Sequence, residues 1–308
     1  MEKKKLLIID CNSLIHRAYH ALPPLTTKKG ELVNAVYGFL LVFFRAIKEF
    51  RPTYIAACFD FPGLTFRHKK FKEYKAKRPP TPKELYQQIP KVKEILKGFN
   101  VPIFEKEGFE ADDIIGTIAR SSQEKPISSK TETVIVSGDL DTLQLIGSST
   151  RVYALKRGVK DIFLYDEKEV QKKYGLSPQQ ILDFKALKGD PSDNIPGVLG
   201  VGEKTATELI KKFGSLENLY KKIQIPNPRI QIPNKLKEKL LRGREQAFLS
   251  KELARIEKGL SLDFGLENCR WKDYNKEKAT AILKSLEFFS LIEKLPSMDK
   301  EKENLKLW

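Results

Sequence analysis

Aspartates close three apolar, β-prone runs: LLIID ends at Asp10, YIAACFD at Asp60, and VIVSGDLD carries Asp139 and Asp141. A fourth acidic group, Glu110, Asp112 and Asp113 in the run EADD, opens a helix-like stretch. A fifth, Asp190 and Asp193 in DPSD, sits in a Gly/Pro-rich loop. In a parallel sheet the carboxyl ends of the strands line one crevice, so carboxylates scattered in sequence converge in space. Converging carboxylates repel one another unless a cation lies between them, and an all-oxygen set suits Mg²⁺ or Mn²⁺. Such ions polarise phosphate and activate water, which points to phosphodiester chemistry. A lone aspartate after a strand is ordinarily a turn former or a helix cap. Five acidic groups on one expected edge favour a metal site over independent caps. Helical spacing puts Glu110 and Asp113 on one face and Asp112 off it, so either the first turn is irregular or not all three are ligands.

The elements that must position these groups are legible as hydrophobic runs. An opening strand over 6–9 feeds a polar turn, and a helix is expected over 33–50, where Val36, Phe39, Leu40, Phe43, Phe44 and Ile47 fall on one side. A second strand covers 54–59, a helix is expected over 84–99, and TVIVSGD and residues 151–155 read as further strands. Strand alternating with helix implies right-handed crossovers and a parallel sheet with helices on both faces, an α/β fold. From about residue 174 the pattern turns helical: SPQQILDFKALK, a Gly-rich loop, EKTATELIKKF, then KLKEKLLRGREQAFLSKELARI. Placing the boundary between 166 and 174 gives a front unit over 1–170 and a smaller helical unit over 171–297. The Lys/Glu-rich tail over 298–308 is expected to fray.

The run from Arg67 to Arg78 holds seven basic residues, Arg67, Lys69, Lys70, Lys72, Lys75, Lys77 and Arg78, with Phe66, Phe71 and Tyr74 threaded through it. Cations pair with phosphates and rings stack on bases, so the segment suits a strand of nucleic acid. The plainer reading is a solvated helix face with Phe71 and Tyr74 packed inward, and adjacency to Asp60 favours the former. In IPGVLGVGEKTA, Gly197, Gly200 and Gly202 precede a helix. Glycines there let backbone N–H groups approach phosphate oxygens, although a helix connection needing positive φ would demand them too. Helices on both sides, with Lys204, Lys211 and Lys212, fit a helix-hairpin-helix over 189–214 that grips a duplex backbone without reading its sequence.

Composition bounds these readings. With 308 residues and 41% hydrophobic content the chain can build a real core and is long enough for two domains. The net charge is +16 although 40 Asp and Glu residues are present, which favours a polyanionic partner over a merely solubilising surface. Cys11, Cys58 and Cys269 form no CxxC or Cys/His ligand spacing, which argues against a disulfide framework and a zinc site. The longest apolar stretch, 35–44, is about half a bilayer-spanning helix, and MEKKKLLIID lacks a small-residue cleavage site. The expected location is cytoplasmic and nucleoid-associated, with no membrane partner.

Asp139-Leu-Asp-Thr-Leu resembles the DxDxT motif of the haloacid dehalogenase phosphatases, but there it sits at the first strand and here Asp112 and Asp113 come before it, so a phosphoaspartate mechanism is set aside. Five stretches, LLIIDCNSLIHRAYHA, FDFPGLTFRHKKFKEYKAKRPPTP, FEADDIIGTIA, VSGDLDTLQL and LKGDPSDNIPGVLGVGEKTA, together resemble the 5′-nuclease domain of bacterial DNA polymerase I, related to the flap endonucleases. That resemblance implies a PIN-like α/β nuclease domain followed by a helix-three-turn-helix domain. It implies two ions, Mg²⁺ or Mn²⁺, with Asp10, Asp60, Glu110 and Asp112 similar to one ligand cluster and Asp113, Asp139, Asp141, Asp190 and Asp193 to the other. The division of Asp112 and Asp113 stays open. Lys75 is similar to the lysine at the base of the family's helical arch, here over 64–90, that contacts the scissile phosphate. Lys185 matches a further active-site lysine, and Arg78 is a weaker match. The loop over 195–202 resembles the duplex-binding loop that also holds K⁺ in relatives, and His16 stands where relatives carry an aromatic that stacks on an unpaired base.

The activity implied is hydrolysis of branched, nicked or 5′-flap DNA from 5′ ends, leaving 5′-phosphates, with the arch mobile until it orders around the 5′ strand. The chain stops at Trp308 without a polymerase region, so it reads as either a stand-alone nuclease or an excised domain, with a DNA polymerase in cis or in trans as a candidate partner. A PIN-type ribonuclease and a non-catalytic DNA-binding scaffold are the alternatives.

Overall fold

The computed structural model describes residues 4–123, 131–225, 232–271 and 274–296; the tail over 298–308 lies outside them. Six strands form one sheet: β1 (Lys5–Asp10), β2 (Tyr54–Cys58), β3 (Ile103–Phe104), β4 (Glu132–Ser137), β5 (Thr150–Arg157) and β6 (Asp161–Tyr165), ordered β3-β2-β1-β4-β5-β6. The first five pair in parallel, as the alternation of strands and helices predicts. β6 departs from an all-parallel sheet. It returns antiparallel to β5 through the tight turn at Gly158, whose φ of 61° suits glycine.

Strands buried on both faces read as continuous apolar runs, and β1 shows why. Leu7 and Ile9 point into one core with α1 (Cys11–Ala21) and α2 (Asn34–Phe50), while Leu6 and Ile8 point into the other with α6 (Ala111–Ser121). Between them lie α3 (Phe66–Lys70), α4 (Lys83–Tyr86) and α5 (Ile89–Gly98). The single helix expected over 84–99 is thus two. Pro90 starts α5, and the buried Gln88 at the break accepts from the N–H groups of Ala35 and Val36, which open α2.

After β6 come α7 (Glu167–Tyr174), α8 (Pro178–Lys188), α9 (Glu203–Phe213), α10 (Leu216–Gln224), α11 (Asn234–Arg242) and α12 (Arg244–Ala254). The helical unit does not run on to 297, as the sequence suggested. From Arg255 the chain turns back to the sheet: Trp271 N–H donates to Thr53 O at 2.8 Å, and α13 (Lys276–Ser285) and α14 (Phe289–Ile292) cover the first core through Leu283, Phe288 and Leu291. Among the described residues no helix is long and apolar enough to cross a membrane.

Candidate metal centre and nucleic-acid interface

The chain leaves β1 toward β2 on one side and reaches β4 on the other, so the crevice at the carboxyl ends of β1 and β4 is where the strand order reverses and ligands of such sheets bind. A cavity of about 380 Å³ opens there, lined by Asp10, Asp60, Glu110, Asp112 and Asp139. Asp10 caps α1, accepting from Ser13 N–H at 3.3 Å, and Ser137 Oγ–H donates to it at 2.5 Å. Asp60 accepts from Ala111 N–H at 2.8 Å and so is tied to the start of α6. Asp139 caps a short 3₁₀ turn over Leu140–Leu145, accepting from Asp141 N–H at 2.9 Å.

Burial pushes the Asp10 carboxyl up to about 6, against hydrogen bonds from Ser13 and Ser137 and helped by the charges of Asp60 and Asp139. The low-dielectric crevice walls likewise raise Asp60, although its edge is open to solvent. Asp112 is raised well above the usual carboxylate range: burial does most, and Asp10, Asp139, Asp141 and Glu110 all add repulsion. Among the described residues no donor reaches its carboxylate. Carboxylates that so disfavour their own charges form an oxygen-donor set suited to a hard divalent cation.

Asp113 is different. It is fully buried and receives both guanidinium nitrogens of Arg67, at 2.7 and 2.8 Å, together with the N–H groups of Glu110 and Glu257. Its lone pairs are spent, so it leaves the expected ligand set. Arg67 leaves the expected DNA-binding set with it. It is 2% exposed and also donates to Leu253 O at 2.8 Å and Arg255 O at 2.6 Å, clamping α3, α6 and the end of α12 together.

On the other wall Lys185 pairs with Asp141 and, at 2.7 Å, with Asp190. Burial pushes Asp141 up to about 7, Asp139 adds to this and Lys185 opposes it. Burial also works against the Asp190 charge, but Lys185 and Ser192 outweigh it and hold that carboxyl down at about 2. Asp193 is engaged by Arg78, and Tyr74 O–H donates to it at 3.2 Å. Lys75 Nζ bonds Glu110 Oε1 at 2.8 Å. Among the described residues no three acidic, histidine or cysteine side chains are gathered closely enough to hold an ion as they stand. Lys75, Lys185 and Arg78 occupy the positions of counter-charge instead.

The basic segment divides into a pinned inner side and an open outer side. Lys75 sits at φ 57°, a left-handed backbone that costs on the order of 1 kcal/mol outside glycine, and its N–H donates to Asp193 O at 2.9 Å. Tyr74 is packed inward, as the plainer reading has it. Lys69, Lys70, Lys72, Lys77 and Arg78 face solvent, Lys70 in a surface pair with Glu252. His16 lines the crevice with Arg17 and His20. Sequence reasoning passed over these two neighbours, though their spacing with Asn12, Ser13 and His16 along α1 puts all five on one face. Arg17 is anchored to Gly138 O at 2.8 Å, and Asn12 Oδ1 accepts from Asp60 N–H at 3.1 Å.

Between α8 and α9, Gly197 and Gly200 take φ of 65° and 78°, so this turn needs glycine for its own shape. Gly189 faces it so closely that a Cβ there would meet Ile195 O at 2.6 Å. Gly202 caps α9 and Lys204 is exposed in its first turn. Leu199 at the loop's tip is 87% exposed.

Residues 5–175 match the family model for the 5′-3′ exonuclease N-terminal resolvase-like domain, and residues 176–277 that for the 5′-3′ exonuclease C-terminal SAM fold. The chain belongs to the 5′-3′ exonuclease family. It is 42% identical over 302 residues to DNA polymerase I of Bacillus subtilis (strain 168), covering 98% of this chain and 33% of that protein. It is 38% identical over 295 residues to the 5′-3′ exonuclease of Aquifex aeolicus, covering 95% of each. The chain thus spans about a third of the length of the polymerase relatives. Its fold resembles that of T5 5′-exonuclease with bound divalent metal ions (zinc), at a TM-score of 0.65, 20% identity and coverage of 82% of this chain and 89% of that one. It also resembles the catalytic core of Rad2 in complex with DNA substrate, at a TM-score of 0.60, 16% identity and coverage of 95% and 93%. The α/β front unit and helical back unit of this exonuclease-family chain follow that architecture.

Proposed function

We propose that this chain is a metal-dependent, structure-specific 5′–3′ exonuclease and 5′-flap endonuclease acting on DNA. The observation that carries the reading is Asp112: a carboxylate that no hydrogen-bond donor among the described residues reaches, facing Asp10, Asp139, Asp141 and Glu110 at the point where the sheet order reverses. Asp10, Asp60, Glu110 and Asp112 would hold one divalent ion, Mg²⁺ or Mn²⁺, and Asp139, Asp141 and Asp190 a second. Asp193 could join only by releasing Arg78. When bound, such ions polarise a phosphodiester and lower the pKa of water.

The chain's own groups supply the rest. Burial alone would lower the Lys75 ammonium, but Glu110 and Asp193 outweigh it, so Lys75 stays charged at the crevice rim. There it would meet the negative charge that develops on phosphate. Lys185, held charged by Asp141 and Asp190 against the effect of burial, plays the same part on the opposite wall. Ser137 and Ala111 N–H fix Asp10 and Asp60. Lys69, Lys72 and Lys77 offer charge to the phosphates of a 5′ single strand, His16 a ring for an unpaired base, and the Gly197–Gly202 loop with Lys204 a grip on the duplex, where a K⁺ ion would also fit the proposal. The relatives' link to a polymerase makes one acting in cis or in trans the natural partner, and a nucleoid-associated cytoplasmic location suits that substrate.

The test is cleavage of an end-labelled 5′-flap DNA with Mg²⁺ or Mn²⁺ and with EDTA, beside a single-stranded RNA of the same sequence. Ion-dependent cuts near the flap junction with 5′-phosphate products are expected, and intact RNA. Preferential cutting of the RNA selects a ribonuclease. Flap binding without any cut selects a scaffold.

A further inference from the structure

Ser250 lies within α12 and is fully buried, at a position where alanine would favour the helix more. Its hydroxyl makes two bonds. It donates to Gln246 O at 2.7 Å, one turn back along its own helix, and it accepts from Gly197 N–H at 2.9 Å. The second bond is buried and joins α12 to the Gly-rich loop between α8 and α9. At Gly197 that loop presses closely on its surroundings: φ is 65°, and a Cβ there would stand 2.3 Å from Gly189 N. The hydroxyl therefore fixes the loop at a point where its backbone has little slack, and satisfies an N–H that would otherwise be buried without a partner.

The serine stands on a braced helix. Its neighbour Lys251 pairs with Asp183 of α8 at 2.5 Å and with Glu217 of α10 at 2.7 Å, and Leu253 O accepts from Arg67 Nε at 2.8 Å. Arg67 in turn holds Asp113 on α6, the helix that opens with Glu110 and Asp112. The start of the loop is tied as well. Asp190 and Ile195 exchange two backbone bonds of 2.8 Å each, and the Asp190 carboxylate pairs with Lys185 at 2.7 Å. The loop is thus linked to both walls of the metal centre, to one through its own backbone and to the other through Ser250, α12 and Arg67.

We propose that Ser250 is a positioning residue that sets where along the strand the cut falls. Successive phosphates of one strand stand about 3.4 Å apart along the duplex axis, so a duplex grip that wanders by about half that step presents either of two neighbouring phosphates to the metal centre. A grip bolted to α12 presents one. This role deepens the nuclease reading and rests on it, whereas the buried bond to Gly197 does not.

The test joins amide exchange to product mapping on the full chain. In EDTA and without DNA, Gly197 N–H should exchange about tenfold faster or more in Ser250→Ala than in the wild type, read by NMR on glycine-labelled chain. Gly175 N–H, bonded to Gln171 O at the end of α7, should be unchanged. On an end-labelled 5′ flap with Mg²⁺ the wild type should cut at one principal phosphodiester, and Ser250→Ala should place severalfold more of its cuts at the flanking positions. Ser250→Thr keeps the hydroxyl and should keep both the slow exchange and the single position. Unchanged Gly197 exchange in Ser250→Ala, or equal acceleration at Gly175, overturns the anchor. So does Gly197 exchange in the wild type as fast as in an unstructured peptide, whether or not the variants fold. Faster Gly197 exchange with an unmoved cut overturns the positioning role, as does a spread of cuts in a Ser250→Thr chain whose Gly197 stays protected. A wild-type chain that protects Gly197 but cuts no flap DNA sinks the nuclease reading and leaves the buried bond standing.

Discussion

Asp112 and Asp113 are neighbours in sequence and opposites in surroundings. Asp113 has a fixed cation, Arg67, and accepts from two backbone N–H groups besides; Asp112 has neither among the described residues and looks across the crevice at four other acids. A buried carboxylate with its own guanidinium is a fastening. A buried carboxylate facing only others of its kind has a use solely when a cation arrives from outside. Lys75 and Lys185 fall between the two cases, since each balances carboxylates in the crevice with a side chain that is partly exposed and long enough to move.

The largest effect that would break this contrast lies at the fastening. Arg67→Ala leaves Asp113 charged and buried, and a loss of about 3–5 kcal/mol is expected, read by urea or thermal unfolding. An unchanged midpoint would show that Asp113 has another partner. Asp112→Asn should do the reverse. Flap cleavage should fall by about three orders of magnitude, on the order of 4 kcal/mol in the barrier, while the EDTA-treated protein unfolds at the same or a higher temperature because a repulsion is gone. Cleavage near the normal rate would remove Asp112 from the ligand set.

The contrast is sharpened by pH. Asp10 and Asp141 have folded-state values of about 6 and about 7, above their ordinary 3.8. Groups raised on folding contribute stability that is present below the unfolded value and lost as pH rises through the folded one. Without divalent ions the melting temperature should therefore fall between pH 4 and pH 8, and Mn²⁺ should restore it at the upper end, as scanning calorimetry would read. Asp190, held at about 2, contributes in the opposite sense and is lost only as pH drops through that value. The smallest effect belongs to the helical unit: Lys204→Ala should weaken duplex binding by about 1 kcal/mol for every sequence alike and flatten its salt dependence. A sequence-dependent loss would contradict a backbone contact.

Much of this was legible because its signals are local. Apolar runs ending in acids gave β1, β2 and β4, and heptad-like spacing gave α2. Arg67 was misread because a basic residue in a basic run carries no mark of burial, and its partner lies 46 residues away. Residues 161–165 went unread as a strand, since DIFLY is short and lies at the edge of the sheet. The path beyond Arg255 was missed for the same kind of reason: Trp271, Tyr274 and Leu283 look like any helical unit's own core until Thr53 and α5 appear beside them.

That return path has a mechanical consequence. Because the chain comes back from α12 to dock Trp271 beside β2 at Thr53, the helices α7 to α12 are tied to the front unit at both ends of their run and between them, where Lys185 pairs with Asp141 and Arg67 donates to Leu253 O, and α8, α9, α11 and α12 share a core with the sheet. A single-hinged appendage could swing wide; one moored at several points is confined to small rocking. Tension along a bound duplex is then shared by these moorings and passed to the sheet, and truncation after Arg255 would strip a face of the first core as well as one mooring.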